Sequence, residues 1–162
     1  MYTGLVHATD EAGRRSRPHM PGYGVPTSAK GMLEWSHVDT RLERARHYWV
    51  ATTDADGRPH SVPVDGVWLE SSLYFGGGDT RWMRNLRANP RVAIHLESGD
   101  DVVIVEGAVA FVDGPDALLE KLATASKAKY GFAYLGPCWS LTPQVAFAWT
   151  NLTKDPTRWV FS

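Results

Sequence analysis

Cysteine is nearly absent: Cys138 stands alone in 162 residues. A single thiol excludes an internal disulfide framework and any cysteine-rich zinc site, and it fits a reducing, cytoplasmic setting. Long apolar runs are missing too. None approaches the roughly 18 residues of a membrane span, and Met1 to Asp10 lack the charged-then-apolar pattern of a secretory signal. There is no excess of charge. Seventeen Lys and Arg face eighteen Asp and Glu, a net charge of -1, which excludes a strongly basic, non-specific nucleic-acid binder. The six histidines have no companion cysteines and no HxxxH-like spacing, so no metal site is predicted. No Ser/His/Asp series or carboxylate pair stands out.

What is abundant is aromatic surface: seven Trp, six Tyr and five Phe. Such a composition suits an aromatic-lined pocket, a large interface or a well-filled core. The length suits one domain with a core of its own. Residues 1–27 read as a flexible arm. They are rich in Gly and Pro, carry the basic cluster Arg14, Arg15 and Arg17, and show no apolar period. Residues 28–162 read as the single domain.

Ser28 to Arg46 reads as a helix, with Ser28 as N-cap and Trp35, Val38 and Leu42 on one face. Tyr48 to Thr53 is rich in strand formers, and Asp54-Ala55-Asp56-Gly57 has hairpin-turn chemistry. His60 to Val64 continues into Gly66 to Leu69, and Pro63 predicts an edge position. Leu73-Tyr74-Phe75 is a short strand. A short helix runs from Arg81 to about Ala88, capped by Thr80 or Asp79 and ended by Asn89-Pro90. Val92, Ile94 and Leu96 alternate with polar or small residues, as in a half-buried strand. Val102 to Val112 is apolar enough to be central and covered on both faces. A helix starts at Gly114-Pro115. Gly131 to Pro143 reads as a loop with aromatics, and Val145 to Trp149 and Thr157 to Phe161 as the last strands. Strands joined by short hairpins, with helices inserted singly, predict a mainly β protein: an antiparallel barrel, closed or nearly so, with helices at its edges.

Gly76 to Arg84 is the best ligand site on physical grounds. Three glycines let the backbone approach a ligand closely. The helix behind them directs free N–H groups and a positive dipole end at the loop. Thr80 adds a hydroxyl, and Arg81 adds a charged fork suited to phosphate. The plainer reading is a glycine turn followed by a solvated basic face of Arg81, Arg84 and Arg87. The segment is not a P-loop, because it lacks the Gly-Lys-Ser/Thr ending. His95 is read as a hydrogen-bonded sheet histidine; as an imidazole it is also a candidate metal or haem ligand.

Several segments, in order, resemble the pyridoxamine 5′-phosphate oxidase-like family of flavin and deazaflavin oxidoreductases. They are Ala51-Thr52-Thr53, Asp56 to His60, Val62-Pro63-Val64, Leu73-Tyr74-Phe75, Thr80-Arg81, Arg84-Asn85-Leu86, Asn89 to Val92, Asp101 to Gly107, Ala146 to Trp149 and Thr157-Arg158-Trp159. The resemblance implies a homodimeric, antiparallel split barrel with FMN or the deazaflavin F420 between subunits, acting on a small organic substrate. The phosphate would meet Gly76, Gly77, Thr80, Arg81, Trp82, Arg84 and Asn85. The ring would lie against His60, Ser61, Val62, Pro63 and Val64, with backbone amides and the Ser61 hydroxyl at its polar edge. Trp149, Arg158 and Trp159 of the second subunit would close the cleft, which the arm and Gly131 to Cys138 also shape. F420's acidic tail would draw on Arg84, Arg87 or the Arg14–Arg17 cluster. Trp82 stands where many relatives carry lysine, and would stack on a ring or pack against Leu86. That departure keeps a second reading open, a non-catalytic carrier of a flavin, haem or another tetrapyrrole.

Overall fold

A computed structural model describes residues 13–134 and 136–162. In β2 (Tyr48–Thr53) the residues Tyr48, Val50 and Thr52 are buried and their neighbours are half-exposed. This period of two, set by the pleat, recurs in β6 (Arg91–His95) and β7 (Val102–Val112), so each strand lays one face on a shared core. The remaining strands are β1 (Arg14–Ser16), β3 (Pro59–Val64), β4 (Val67–Leu69), β5 (Ser72–Phe75), β8 (Cys138–Trp149) and β9 (Thr157–Val160); the helices are α1 (Trp35–Arg44), α2 (Arg81–Ala88) and α3 (Asp116–Tyr130).

All nine strands belong to one antiparallel sheet of order β1-β9-β8-β7-β6-β2-β3. The β4–β5 hairpin joins it through β8. β8 therefore bends the sheet: it pairs with β7 along its length, with β5 at its start and with β9 near its end. Among the described residues β3 and β1 are the outer strands of this order. The result is a split, unclosed antiparallel barrel. Its core holds Tyr48, Val50, Leu73, Phe75, Leu86, Ile94, Val105, Leu141 and Trp159, all 2% exposed or less. Burying each such large side chain contributes about 1.5–3 kcal/mol.

Several elements fall where the sequence places them. Pro63 lies on the edge strand β3, where a missing N–H costs no ladder bond. α2 spans Arg81–Ala88. β7 sits between β6 and β8.

Other elements differ, each for a physical reason. α1 begins at Trp35, not Ser28. The carbonyls of Ser28 and Lys30 accept hydrogen bonds from Arg17, and Gly31 takes φ 84°, so this stretch is held out of the helix. Arg14–Ser16, within the expected arm, pairs with β9; the first twelve residues of that arm lie outside the described residues. β8 begins at Cys138 instead of after Pro143. Pro143 is tolerated because it faces Gly107 at a register shift between Glu106 and Gly107. The run His60–Leu69 is broken at Asp65-Gly66 into β3 and β4. β7 is covered on one face only, with Glu106, Ala110 and Phe111 exposed.

Candidate functional site

β5 ends at Phe75, and the chain passes through Gly76-Gly77-Gly78 before α2 begins. Two of these glycines have little room for a side chain. A Cβ on Gly77 would stand 3.1 Å from Trp82 Cζ2, and one on Gly76 would overlap the Tyr134 hydroxyl. Gly78 faces open space. Thr80 is the N-cap in extended conformation, and its side chain makes no capping bond. The first helical bond runs from Arg84 N–H to the Thr80 carbonyl. The amides of Arg81, Trp82 and Met83 thus have no partner within the helix, and its first turn carries no acidic residue.

This helix end looks into a groove of about 570 Å³. Pro63 and Val64 of β3 form one side, Gly76, Gly77, Thr80 and Trp82 the other. Six of the residues expected from sequence therefore meet in one place. His60, Ser61 and Val62 continue along β3 opposite Thr52, Ala51 and Val50, outside the groove lining. Arg81 is exposed, with Nη2 3.8 Å from Asp54 Oδ2. The Arg58 and Asp56 amides bonded to Asp54, with the Arg58 and Arg81 guanidiniums nearby, hold its carboxyl below the usual carboxylate range. Arg84 turns back to Asp79 at 3.4 Å, balancing the one acid of the loop.

Three expected site residues have structural roles in this chain. Asn85 is 5% exposed and donates to Thr52 Oγ1 at 3.0 Å, fixing α2 on β2. Trp82 is 6% exposed and tilts against Phe75, with ring centroids 5.8 Å apart, so it is chiefly a core residue with an edge on the groove. Trp159 is fully buried against Trp35, edge to face at 5.6 Å, and offers no surface to a cleft. Trp149 and Arg158 lie on β8 and β9; four strands separate β9 from β3 in sheet order. The basic cluster is engaged as well. Arg17 donates to the Ser28, Lys30 and Pro156 carbonyls, and Arg15 pairs with Glu34.

Sequence reasoning missed the far wall of the groove, made by His47, Trp49, Asp65 and Glu97. The signal was available: His47 and Trp49 alternate with core residues at the start of β2. His47 Nδ1 is 3.0 Å from Asp65 Oδ1. His95 stacks on Trp49, the rings 3° from parallel. Its Nδ1 lies 2.7 Å from the Leu96 carbonyl; a carbonyl only accepts, so in the neutral ring Nδ1 carries the proton and Nε2 keeps its lone pair. Lys129 pins the Asp65-Gly66 corner, its ammonium donating to Gly66 O and Tyr48 Oη, both at 2.8 Å. Burial pushes the Lys129 ammonium down to about 8.

No described helix is long and apolar enough to cross a membrane. Among the described residues no group of three or more His, Cys, Asp or Glu is placed to hold a metal ion.

The fold has known counterparts. A conserved hypothetical protein of Mycobacterium tuberculosis, Rv2991, superposes with a TM-score of 0.63 at 19% identity, over 77% of this chain and 89% of that one. The heme storage protein HutZ of Vibrio cholerae gives 0.56 at 22%, over 72% and 94%. A putative 5-nitroimidazole antibiotic resistance protein of Bacteroides thetaiotaomicron gives 0.56 at 17%, over 76% and 82%. No curated protein sequence matches the chain. The family model described as pyridoxamine 5′-phosphate oxidase matches residues 35–160, more than half of the chain, and the chain belongs to that family.

Proposed function

We propose that this protein is a homodimeric oxidoreductase that uses FMN or F420 and acts on a small organic substrate. The observation that carries the reading is the convergence of Pro63, Val64, Gly76, Gly77, Thr80 and Trp82 on one groove at the start of α2. The donor set fits a phosphorylated tricyclic cofactor. Three free amides, an uncommitted Thr80 hydroxyl and the Arg81 guanidinium suit a phosphate. Trp49, Pro63 and the edge of Trp82 suit the flat face of a ring. When bound, the cofactor supplies the hydride or electron transfer. The chain's own residues do the rest. The loop and α2 would bind the phosphate, β3 would orient the ring, and Trp49 and Trp82 would exclude water. Trp149 and Arg158, which do not line the groove within one chain, would belong to it through the second subunit.

The test is a fluorescence titration with FMN and F420 in parallel. We expect a Kd below about 10 μM, roughly -7 kcal/mol, for one of them. Binding of neither at higher protein concentration removes the reading.

A second reading has its own observation. The Nε2 lone pair of His95, beside the groove residue Trp49, would be the group to hold a haem iron, and HutZ, of the same fold, is a heme storage protein. A carrier of haem would show a Soret shift on titration that His95→Ala abolishes, and no flavin or F420 binding.

A further inference from the structure

A second cavity lies beside the groove and none of the roles above uses it. It holds about 230 Å³ between α3 and the β4–β5 hairpin. Its walls are Val67, Phe75 and Leu122 with the rings of Tyr74, Tyr130, Phe132 and Tyr134. Asp65 and Gly76 line both this cavity and the groove, so the two adjoin there. We infer that this cavity is a binding site for an uncharged aromatic molecule of one or two rings.

Chemistry sets that class. Three hydroxyls of the walls, those of Tyr130, Ser126 and Tyr134, are already engaged by the protein. Tyr130 Oη accepts from Gly66 N–H at 3.0 Å and lies 2.7 Å and 2.9 Å from the Arg46 and Gly66 carbonyls. Ser126 Oγ donates to Ala123 O and accepts from Tyr134 N–H at 2.6 Å. Tyr134 Oη donates to Pro137 O at 3.1 Å. What these residues offer a ligand is ring faces, the surface against which another aromatic ring packs best. An anion is disfavoured by the Asp65 carboxylate in the lining and by the apolar walls, and the Lys129 ammonium beside Tyr130 is already committed to Gly66 O and Tyr48 Oη. A dry cavity of about 150 Å³ accepts benzene, so this one has room for one or two fused rings. Phe132 is 54% exposed, large and apolar, and stacks on Tyr130 at 5.8 Å. An outer wall of this kind, held at the surface between two glycines of positive φ, Gly131 and Gly136, fits a face that a ligand covers.

That this molecule is the substrate of the oxidoreductase rests on the proposed function; the binding itself does not. The experiment therefore uses the full chain without cofactor. Calorimetric titration with 2-naphthol should give one site with Kd below roughly 1 mM, and the anionic 2-naphthoate should bind about tenfold more weakly. Phe132→Ala, at an exposed position, should keep its thermal transition and weaken 2-naphthol about fivefold, the loss of one aromatic contact. Leu122→Trp, which fills the cavity, should remove binding. No saturable binding, equal binding of the two probes, or equal binding by wild type and Phe132→Ala overturns the site. A cofactor titration run beside it separates the claims. Naphthol binding without FMN or F420 binding leaves the cavity standing and removes the enzyme reading; the reverse removes the cavity alone.

Discussion

The Tyr134 hydroxyl occupies the space above Gly76 that a side chain there would need. Gly76 opens the glycine loop after β5 and lines the groove, and Tyr134 belongs to the wall of the aromatic cavity. One contact thus joins the two pockets, and the glycine is dictated by packing against another element. Gly76→Ala should destabilise the fold by about 1–3 kcal/mol, the cost of overpacking. Adding Tyr134→Ala should recover most of the loss attributable to the overlap. Thermal denaturation of the two single variants and the double variant measures this; a double variant no better than the sum of the singles removes the coupling.

The Asn85–Thr52 bond should behave as a buried polar pair. Both side chains are 5% exposed or less, so removing one partner strands the other. Asn85→Ala should cost about 1–3 kcal/mol. In a double-mutant cycle with Thr52→Val the coupling should exceed about 0.5 kcal/mol. Urea denaturation of the four proteins gives the number, and additivity would mean that α2 is held on β2 by its apolar face alone.

Legibility followed how local the determinants are. β2, β6 and α2 carry their period and their stop signals within their own residues, and the sequence suffices for them. α1 does not, because Arg17 reaches across from another segment to hold Ser28 and Lys30. The early start of β8 depends on β7 and β5, which supply partners on both sides of Trp139–Leu141. Its sequence shows only Pro137 and Pro143 at the two ends. At the site, the glycine loop and Thr80 were legible because a helix start has a local signature. Asn85, Trp82 and Trp159 were not. Their side chains suit a ligand and a core equally well, and only packing decides. Asp65 joins the groove through a chain break fixed by Lys129 and Tyr130, some sixty residues later.

His37 gives the fold an acid limit. Burial and the Arg41 guanidinium lower its pKa below 6.5, against the opposing pull of Asp101 and Asp155. The unfolded chain takes up a proton near pH 6.5 that the folded chain refuses. Stability from this group is therefore complete above about pH 6.5 and is lost as pH falls through the lower folded value. The melting temperature should drop as pH falls below about 6.5, and His37→Gln should flatten that slope. A slope unchanged in His37→Gln would assign the acid limit to other groups.

Arg81 and Trp82 are neighbours with opposite expected behaviour. Arg81 is exposed, and its ion pair with Asp54 is long; surface pairs of this kind contribute little. Arg81→Ala should leave the denaturation midpoint nearly unchanged while weakening the cofactor about tenfold, the scale of one charge-assisted contact. Trp82 is buried against Phe75 and supports Gly77. Trp82→Lys would install a cation beside the groove, but it would also remove a large core ring and place an ammonium beneath the loop. It should therefore lower stability by about 3 kcal/mol or more and weaken cofactor binding, because the loop loses its floor. Urea denaturation and fluorescence titration of both variants decide this. If Trp82→Lys instead tightens the cofactor at little cost in stability, the lysine side chain has reached the phosphate. The indole would then be a substitute for the cation at an otherwise ordinary site, and the packing role assigned to Trp82 would fall.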